Sequence, residues 1–180
     1  MGEGWSDLFA IMLRQNTHDT REDVWPMGAW AAGKGIRPFP YYAGHANRSA
    51  NPATYEDVNG YYPLVHGIGF VWCSILWEVY WNMVDAAGFD ADWYSWPARA
   101  KGNQVLLQLV VDGMKIQPCV PTFVDARDAI LIADQTAFGG KYKCVLWRGF
   151  ARRGLGIDAS DGGSYKGVVV NGFKLPAECS

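Results

Sequence analysis

The chain begins with Met1-Gly2-Glu3-Gly4-Trp5-Ser6-Asp7, a stretch whose two acidic residues stand four positions apart. On a helix, that spacing places the carboxylates of Glu3 and Asp7 on the same face. One carboxylate can then bind a metal ion while the other orients a neighbouring ligand. The helix dipole by itself also favours acidic residues in a first turn, so a solvent-exposed helix start is the alternative. The stretch therefore predicts a helix, with a metal ligand as one of two interpretations.

The rest of the chain has the apolar spacing and the terminating residues of a mainly α-helical protein. We predict five helices: Glu3 to about Asn16, about Val65 to Ala87, Lys101 to Lys115, Pro121 to Phe138, and Lys143 to Gly154. Gly88 is placed to end the second helix, and Thr122 and Asp125 have the spacing of a capping box. A short strand is predicted for Val168-Val169-Val170.

A long irregular connection, Thr17 to Pro63, separates the first two predicted helices. It contains five prolines, which continue neither a helix nor a central strand. Connections of this length are uncommon in compact domains, so we expect a functional or a heavily packed loop. Within it, Asn47-Arg48-Ser49 is an acceptor sequence for an N-glycan in a secretory route, with an unoccupied surface site as the alternative.

The composition is that of an ordinary globular domain. A hydrophobic fraction of 49% and a charged fraction of 19% exclude a disordered chain. A formal net charge of -2 gives no reason to expect a nucleic acid or an acidic membrane as a partner. The longest apolar stretch, Val65 to Val84, contains His66 and Glu78, so we interpret it as a buried helix and not as a membrane span. Nine tryptophans and nine tyrosines fit either a packed core or the wall of a cleft.

The four cysteines are Cys73, Cys119, Cys144 and Cys179, and no two of them have the spacing of a metal-binding pair. Four cysteines allow three pairings, which the sequence does not distinguish. In a secreted protein Cys119 and Cys144 could join two consecutive helices, whereas Cys73 lies in an apolar helix and fits a buried thiol.

Several ordered motifs between Glu3 and about Leu155 resemble the fungalysin family of secreted metallopeptidases. These motifs are Gly2-Glu3-Gly4-Trp5-Ser6-Asp7, Pro26-Met27-Gly28-Ala29-Trp30, Gly35-Ile36-Arg37-Pro38-Phe39-Pro40-Tyr41, Val65-His66-Gly67-Ile68-Gly69, Leu109-Val110-Val111-Asp112-Gly113-Met114-Lys115, Cys119-Val120-Pro121-Thr122-Phe123 and Ala126-Arg127-Asp128-Ala129-Ile130-Leu131. The resemblance implies a mainly α fold, the helical C-terminal domain of a thermolysin-like (gluzincin) metallopeptidase. It implies a helical catalytic subdomain over residues 1–157, including the long loop at 17–63, followed by a C-terminal tail at 158–180.

The resemblance also implies roles for four residues. Enzymes of this type bind one zinc ion through two histidines and a glutamate, which makes Glu3 the metal ligand and Asp7 the residue that orients a histidine ligand. His66, within Val65-His66-Gly67-Ile68-Gly69, is then the donor to the oxyanion that forms when water attacks the scissile carbonyl. Its flanking glycines would let a peptide approach the backbone. Arg37 is the residue that holds a backbone carbonyl of the substrate.

Other interpretations of these residues exist without the resemblance. His66 would be a helix-capping or core histidine, and Arg37 would be solvated or bound to a local carbonyl. Tyr41 and Tyr42 are further candidate donors to the cleft because they follow Arg37 closely. Related enzymes place an aspartate five residues before this histidine, where this chain has Tyr61; Asp57 is near enough in sequence to be considered, but nothing fixes its geometry and it is not assigned to the site.

The first half of such a zinc site is missing from this chain. His18, His45 and His66 are its only histidines, and no two of them form the H-E-x-x-H motif. We therefore expect the C-terminal part of a secreted, extracellular zinc metalloendopeptidase, with the other two ligands upstream of Met1 and no activity in isolation. The chain shows no signal peptide. A fragment, a truncated gene model and a degenerate copy all fit this pattern.

The expected partners follow from the same interpretation. They are a protein or peptide substrate, the missing N-terminal catalytic half, and a propeptide that keeps the enzyme a zymogen, with neither nucleic acid nor membrane among them. A non-catalytic helical binding domain, or a pseudoprotease derived from the family, is the alternative function. That alternative predicts weak zinc affinity and no peptidase activity.

Overall fold

The computed structural model describes residues 1–94, 100–163 and 167–180. Within these ranges the chain forms seven α-helices: α1 (Gly2–Met12), α2 (Ala29–Ala32), α3 (Val58–Tyr61), α4 (Val65–Ala87), α5 (Gly102–Ile116), α6 (Phe123–Phe138) and α7 (Lys143–Arg152). Short 3-10 turns are formed by Arg48–Ala50, Tyr55–Asp57 and Ala177–Cys179. In these ranges β-structure is limited to isolated bridges, so the predicted mainly α fold is confirmed.

Helix α4 lies at the centre of the molecule and packs against α1, α5 and α7. Its apolar residues surround the helix instead of forming one stripe, which is the pattern of a helix buried on all sides. Trp72, Trp77 and Tyr80 are fully buried, and the rings of Trp77 and Tyr80 stack with centroids 4.7 Å apart. The prediction of a buried helix is confirmed. No helix in the described ranges is long and apolar enough to cross a membrane.

Local sequence signals determine where several of the helices begin and end. Helix α4 ends as predicted at Gly88, whose φ of 81° is left-handed and whose N–H donates to the carbonyl of Val84. The predicted capping box of α6 is present, since the side chains of Thr122 and Asp125 each bond the other residue's N–H. Helix α1 ends at Met12 instead of continuing to Asn16. Asn16 lies in local side-chain turns with its neighbours, which compete with helical hydrogen bonds.

Helix α7 approaches α4 closely because Gly149 carries no side chain. A Cβ at this position would lie 2.6 Å from the Cα of Val79 on α4. Helix α7 also ends earlier than predicted, at Arg152, because Gly154 adopts a left-handed φ of 84°.

The long connection between α1 and α4 is heavily packed, as one of the two interpretations predicted. Arg153, which follows α7, is 2% exposed and inserts its guanidinium into this loop. Its Nη1 donates to the carbonyls of Asn51 and Ala53 at 2.9 and 2.8 Å, and its Nη2 donates to the carbonyl of Tyr42 at 2.6 Å. One buried side chain therefore binds three loop carbonyls to the helical core.

The disulfide pairing differs from the one considered above. Cys144 on α7 is bonded to Cys179, and not to Cys119, which is exposed with a free thiol. The pairing forms because the C-terminal segment folds back over α7, where Lys143 also binds Glu178. Cys73 is a buried free thiol, as predicted.

The strand predicted for residues 168–170 is wrong. Val170 forms a single bridge with Ser160, while both backbone groups of Val169 bond the side-chain amide of Asn59. A side chain therefore takes the place of a partner strand. Residues 164–166, within the predicted tail, lie outside the described residues.

Candidate active site

The crossing of α1 and α4 places Glu3 beside the first turn of α4. The two helices meet at glycines, because a Cβ on Gly4 would lie 2.4 Å from the carbonyl oxygen of Gly69. A Cβ on Gly69 would lie 2.5 Å from the Cβ of Glu3. The glycines beside His66 therefore serve internal packing: Gly69 contacts Glu3, and Gly67 faces the ring of Tyr61. The close approach of a peptide to these glycines stays a prediction.

His66 and Glu3 form a direct contact at this crossing. Nδ1 of His66 lies 2.7 Å from Oε2 of Glu3. A carboxylate only accepts hydrogen bonds, so Nδ1 carries the proton and Nε2 faces away from Glu3. The His66 side chain is 70% exposed, so Nε2 is open to a ligand. The hydrogen bond from His66, and then the one from Arg37, lower the pKa of Glu3.

Arg37 reaches the same cluster from the long loop. Its Nε and Nη2 donate to Oδ2 and Oδ1 of Asp7 at 2.6 and 2.9 Å, and Nη2 also donates to Oε2 of Glu3 at 3.1 Å. The hydrogen bond to Asp7 is the main reason that the pKa of Arg37 is raised. Within the described residues, Nη1 has no hydrogen-bond partner, so one arm of the fork is left for another group.

Two tyrosines near Arg37 do not face a cleft. Tyr41 is fully buried and donates its hydroxyl hydrogen to Oδ2 of Asp7, and burial raises its pKa. Tyr42 is also buried, and its hydroxyl donates to Glu22. Their expected use as cleft donors is therefore wrong. Tyr41 instead supports Asp7, a role that sequence spacing gave no means to detect because the two residues lie 34 positions apart.

Glu3 has one carboxylate oxygen open to a metal ion among the described residues. Oε1 of Glu3 accepts no hydrogen bond from them, and the side chain is 39% exposed. No group of three histidine, cysteine or acidic residues that could hold a metal ion occurs in the ranges that the structure describes. A catalytic zinc has three protein ligands, so this chain fits one ligand of such a site and not the whole set.

Asp7 retains the capacity to orient a further donor. Each carboxylate oxygen can accept two hydrogen bonds. Oδ2 accepts from Arg37 and Tyr41, whereas Oδ1 accepts only from Arg37 within the described residues. One acceptor position on Oδ1 therefore fits the N–H of an incoming histidine.

An apolar pocket of about 150 Å³ opens beside the first turn of α4. The residues that line it include Met1, Tyr62, Val65, Ile68, Phe123 and Val169. They come from distant segments of the chain, so no sequence pattern predicted the pocket.

The remaining histidines lie away from the cluster. The backbone N–H of His18 bonds the side chain of Asn16 in a local turn. His45 lies between Arg21 and Arg152, with Nε2 and Nδ1 at 2.9 and 2.7 Å from their guanidinium nitrogens. Neither joins Glu3, in agreement with their exclusion from the predicted site.

Comparison with known proteins gives consistent matches. Residues 1–159 match the fungalysin metallopeptidase family (M36). The chain is 44% identical over 99% of its length to extracellular metalloproteinase 2 of Trichophyton tonsurans, covering 28% of that protein. It is 44% identical over 98% of its length to an extracellular metalloproteinase of Pyrenophora tritici-repentis, covering 27%. A metalloproteinase of Leptosphaeria maculans is 46% identical over 88% of the chain, which covers 25% of that relative. The chain thus spans about a quarter of the length of these relatives.

Proposed function

Because the chain belongs to the fungalysin metallopeptidase family, we propose that it is the C-terminal portion of a secreted, zinc-dependent metalloendopeptidase. The observation that carries this proposal is the contact of Glu3 with both His66 and Arg37 at the crossing of α1 and α4. The relatives are named extracellular metalloproteinases, which supports an extracellular location and a protein or peptide substrate.

Glu3 is the proposed zinc ligand of this chain. Its Oε1 has no partner within the described residues, and its depressed pKa keeps the carboxylate ionised, as a metal ligand requires. A catalytic zinc polarises a bound water and lowers its pKa to about 7. The two histidine ligands and the glutamate base would come from an H-E-x-x-H helix outside this chain. Asp7, through Oδ1, would orient one of those histidines.

His66 and Arg37 are the proposed groups that contact the reacting peptide. His66 is the exposed member of the pair, and with Nδ1 donating to Glu3 it donates from Nε2 when the ring is protonated. A donor aimed at the developing oxyanion stabilises the transition state by about 3 kcal/mol. Arg37 is held by Asp7 and offers Nη1 to a substrate carbonyl. The four proposed roles therefore use different atoms of one hydrogen-bonded cluster.

The proposed domain organisation is a catalytic subdomain over residues 1–157 and a tail over residues 158–180. The tail is bonded to the subdomain, since the side chain of Asn171 accepts from the N–H of Glu56 and Cys179 is disulfide-bonded to Cys144. A propeptide and the N-terminal catalytic half are the proposed partners. Because the described residues offer one zinc ligand, this chain alone is proposed to be inactive.

The first test is the coding sequence upstream of Met1 in the intact transcript. We expect an in-frame H-E-x-x-H motif about 20 to 30 residues before Glu3. The complete product should bind one zinc ion by elemental analysis and hydrolyse casein, whereas the 180-residue chain should do neither.

Variants of the complete product then test the ligand. Glu3→Gln should lower zinc affinity at least about tenfold and abolish hydrolysis, because the amide is a poor ligand. Glu56→Gln is the matched control, since Glu56 is exposed and bonds Asn171. Retention of zinc by Glu3→Gln would exclude Glu3 as a ligand. A stop codon upstream of Met1 would instead favour the non-catalytic binding domain.

A further inference from the structure

A group of arginines lies on one face of the molecule around α7, and we refer to Arg48, Arg148 and Arg152 together as the arginine surface. Arg148 and Arg152 stand four residues apart on α7, so they project from the same face of the helix. Arg48 comes from the long loop, and its Nη2 donates to the carbonyl of Arg152 at 3.4 Å. Three arginines from two separate segments therefore line one surface.

The arginine surface borders a concavity of about 340 Å³. Besides the three arginines, Ala151, Phe173 and Leu175 line it, and no carboxylate is among its lining residues. Phe173 is 56% exposed, so its ring is open to contact. The concavity thus joins a cationic wall to an apolar one. A neighbouring concavity shares Arg148 and Arg152 and includes Asp85.

The nearby carboxylates do not pair with every arginine. Buried Glu78 lies 2.9 Å from Arg153, 3.2 Å from Arg152 and 3.9 Å from Arg21, and Asp85 pairs with Arg21 at 2.9 Å. Arg48 and Arg148 make no ion pair within the described residues. Each bonds only a carbonyl at 3.4 Å, Arg48 that of Arg152 and Arg148 that of Cys179. Their remaining N–H groups are therefore open to an anion.

The surroundings of His45 add to this excess of donors. Arg21 Nη1 and Arg152 Nη1 face its two ring nitrogens at 2.9 and 2.7 Å. A neutral imidazole accepts a hydrogen bond at one nitrogen only, so one of these contacts brings two donors together. Burial, opposed by Glu78 and reinforced by the like charges of Arg21 and Arg48, lowers the pKa of Arg152. An anion near Arg152 would give the surplus donor an acceptor and would raise the pKa of Arg152.

Arg152 is held by Glu78, His45 and the carbonyl of Gly44, so it contributes charge rather than free donors. We propose that the arginine surface binds an organic phosphate or sulfate ester, with the oxyanion held by Arg48 and Arg148 beside the positive charge of Arg152 and the organic group packed on Phe173. Guanidinium forks match the geometry of such oxyanions and bind them through paired, charge-assisted hydrogen bonds. The site lies away from Glu3, since Glu78, which pairs with Arg152, stands 12 residues beyond His66 on α4, a separation of about 18 Å along the helix axis. Its ligand is therefore distinct from a zinc ion bound at Glu3.

Calorimetric titration of the 180-residue chain tests this proposal. The probes are phenyl phosphate, phenyl sulfate and inorganic phosphate at constant ionic strength in a chloride buffer. We expect saturable, one-to-one binding of phenyl phosphate that is tighter than that of inorganic phosphate. Comparing the affinities for phenyl phosphate and phenyl sulfate shows whether the site prefers a phosphate or a sulfate ester.

Three variants separate the contributions of the two arginines and of Phe173 to binding. Arg148→Gln and Arg48→Gln should each lower the affinity for phenyl phosphate about tenfold, because each removes a charged donor. Phe173→Ala should lower the affinity for phenyl phosphate and leave the affinity for inorganic phosphate unchanged. Lys34→Gln, which removes an exposed positive charge from the loop before Arg37, is the matched control and should bind as the wild type does.

Two results would overturn the proposal. One is equal affinity of the wild type and of both arginine variants, and the other is the absence of saturable binding. The arginine bonds being replaced are long, so the variants should fold, which circular dichroism would check. Should a variant fail to fold, NMR of the wild type decides, because unchanged side-chain signals of Arg48 and Arg148 at saturating phenyl phosphate exclude the site.

Discussion

Arg37 binds Asp7 through two hydrogen bonds, of 2.6 Å from Nε and 2.9 Å from Nη2. Each side chain is 7% exposed, so most but not all of the pair is shielded from solvent. The planar fork of the guanidinium matches the two carboxylate oxygens, which fixes the direction of the side chain. Because Nη2 also donates to Glu3, the pair connects the long loop to the proposed metal ligand.

The first prediction concerns this pair. Asp7→Asn leaves the guanidinium of Arg37 buried without an opposite charge from Asp7, and breaking a buried pair typically lowers the free energy of unfolding by about 3 kcal/mol. Urea denaturation of the purified chain measures the change. The control is Asp112→Asn, whose pair with Lys115 is more exposed and should contribute less than about 1 kcal/mol. A loss below about 1 kcal/mol in Asp7→Asn would show that the Arg37–Asp7 pair adds no more to stability than an exposed pair does.

The second prediction concerns the crossing of α1 and α4. Gly69→Ala places a methyl group against Glu3 and the backbone of Gly4, so the helices must separate. We expect a loss of about 2 kcal/mol in the free energy of unfolding, as is typical of overpacked sites. In the complete enzyme, the same variant should also weaken zinc binding because Glu3 is displaced.

Gly60→Ala is the control for this glycine. A Cβ at Gly60 meets no atom within 4 Å, and Gly60 is not among the glycines with positive φ. Its free energy of unfolding should be unchanged or rise by about 0.5 kcal/mol, because alanine restricts the unfolded chain. Thermal denaturation of both variants at one pH makes the comparison. A Gly69→Ala variant as stable as Gly60→Ala would contradict the close helix crossing.

Local sequence was sufficient to predict several features of this fold. The predicted end of α4 was correct because Gly88, with a positive φ of 81°, terminates the helix. The start of α6 followed from Thr122 and Asp125, whose side chains act on backbone groups three residues away. Such signals act over a single turn, so they require no knowledge of the tertiary structure.

Features that depend on distant segments could not be predicted in the same way. The pairing of Cys144 with Cys179 requires the C-terminal segment to fold back over α7, and no local pattern indicates that path. The support of Asp7 by Tyr41 joins residues 34 positions apart. The positions of Glu3, Asp7, Arg37 and His66 were named from a family resemblance, and their contacts with one another appear only in the fold.

The third prediction concerns the disulfide. Cys144 and Cys179 close a loop with a sequence separation of 35 residues. Removing that constraint from the unfolded chain should lower the free energy of unfolding by about 4 kcal/mol, by the loop-entropy relation. The Cys144→Ser/Cys179→Ser variant should therefore denature at a lower urea concentration than the wild type, and should detach the tail from α7 as measured by proteolysis.

Cys119→Ser is the matched control for the disulfide, because Cys119 is exposed and unpaired. Its midpoint in urea should equal that of the wild type. Peptide mapping without reduction should recover one cross-linked peptide containing Cys144 and Cys179. Recovery of a Cys119–Cys144 peptide would restore the pairing that was considered from the sequence.

The fourth prediction concerns Tyr80 on α4. Its side chain is fully buried, and its hydroxyl has no hydrogen-bond partner within the described residues. A buried hydroxyl without a partner is unfavourable, whereas the ring contributes by stacking on Trp77. Tyr80→Phe keeps the ring and removes the hydroxyl. The variant should therefore be at least as stable as the wild type at pH 7.

The same variant should change the response to alkaline pH. Burial raises the pKa of Tyr80 in the folded state above its unfolded value of about 10. Above that pH the unfolded chain loses the proton while the folded chain keeps it, so this group's contribution to stability falls by about 1.4 kcal/mol per pH unit. Removing the hydroxyl should reduce the decline in the free energy of unfolding between pH 10 and 11, measured by urea denaturation. Tyr94→Phe, at an exposed tyrosine, is the matched control and should be as stable as the wild type at pH 7. An unaltered slope in Tyr80→Phe would mean that water or a polar group reaches the hydroxyl in solution.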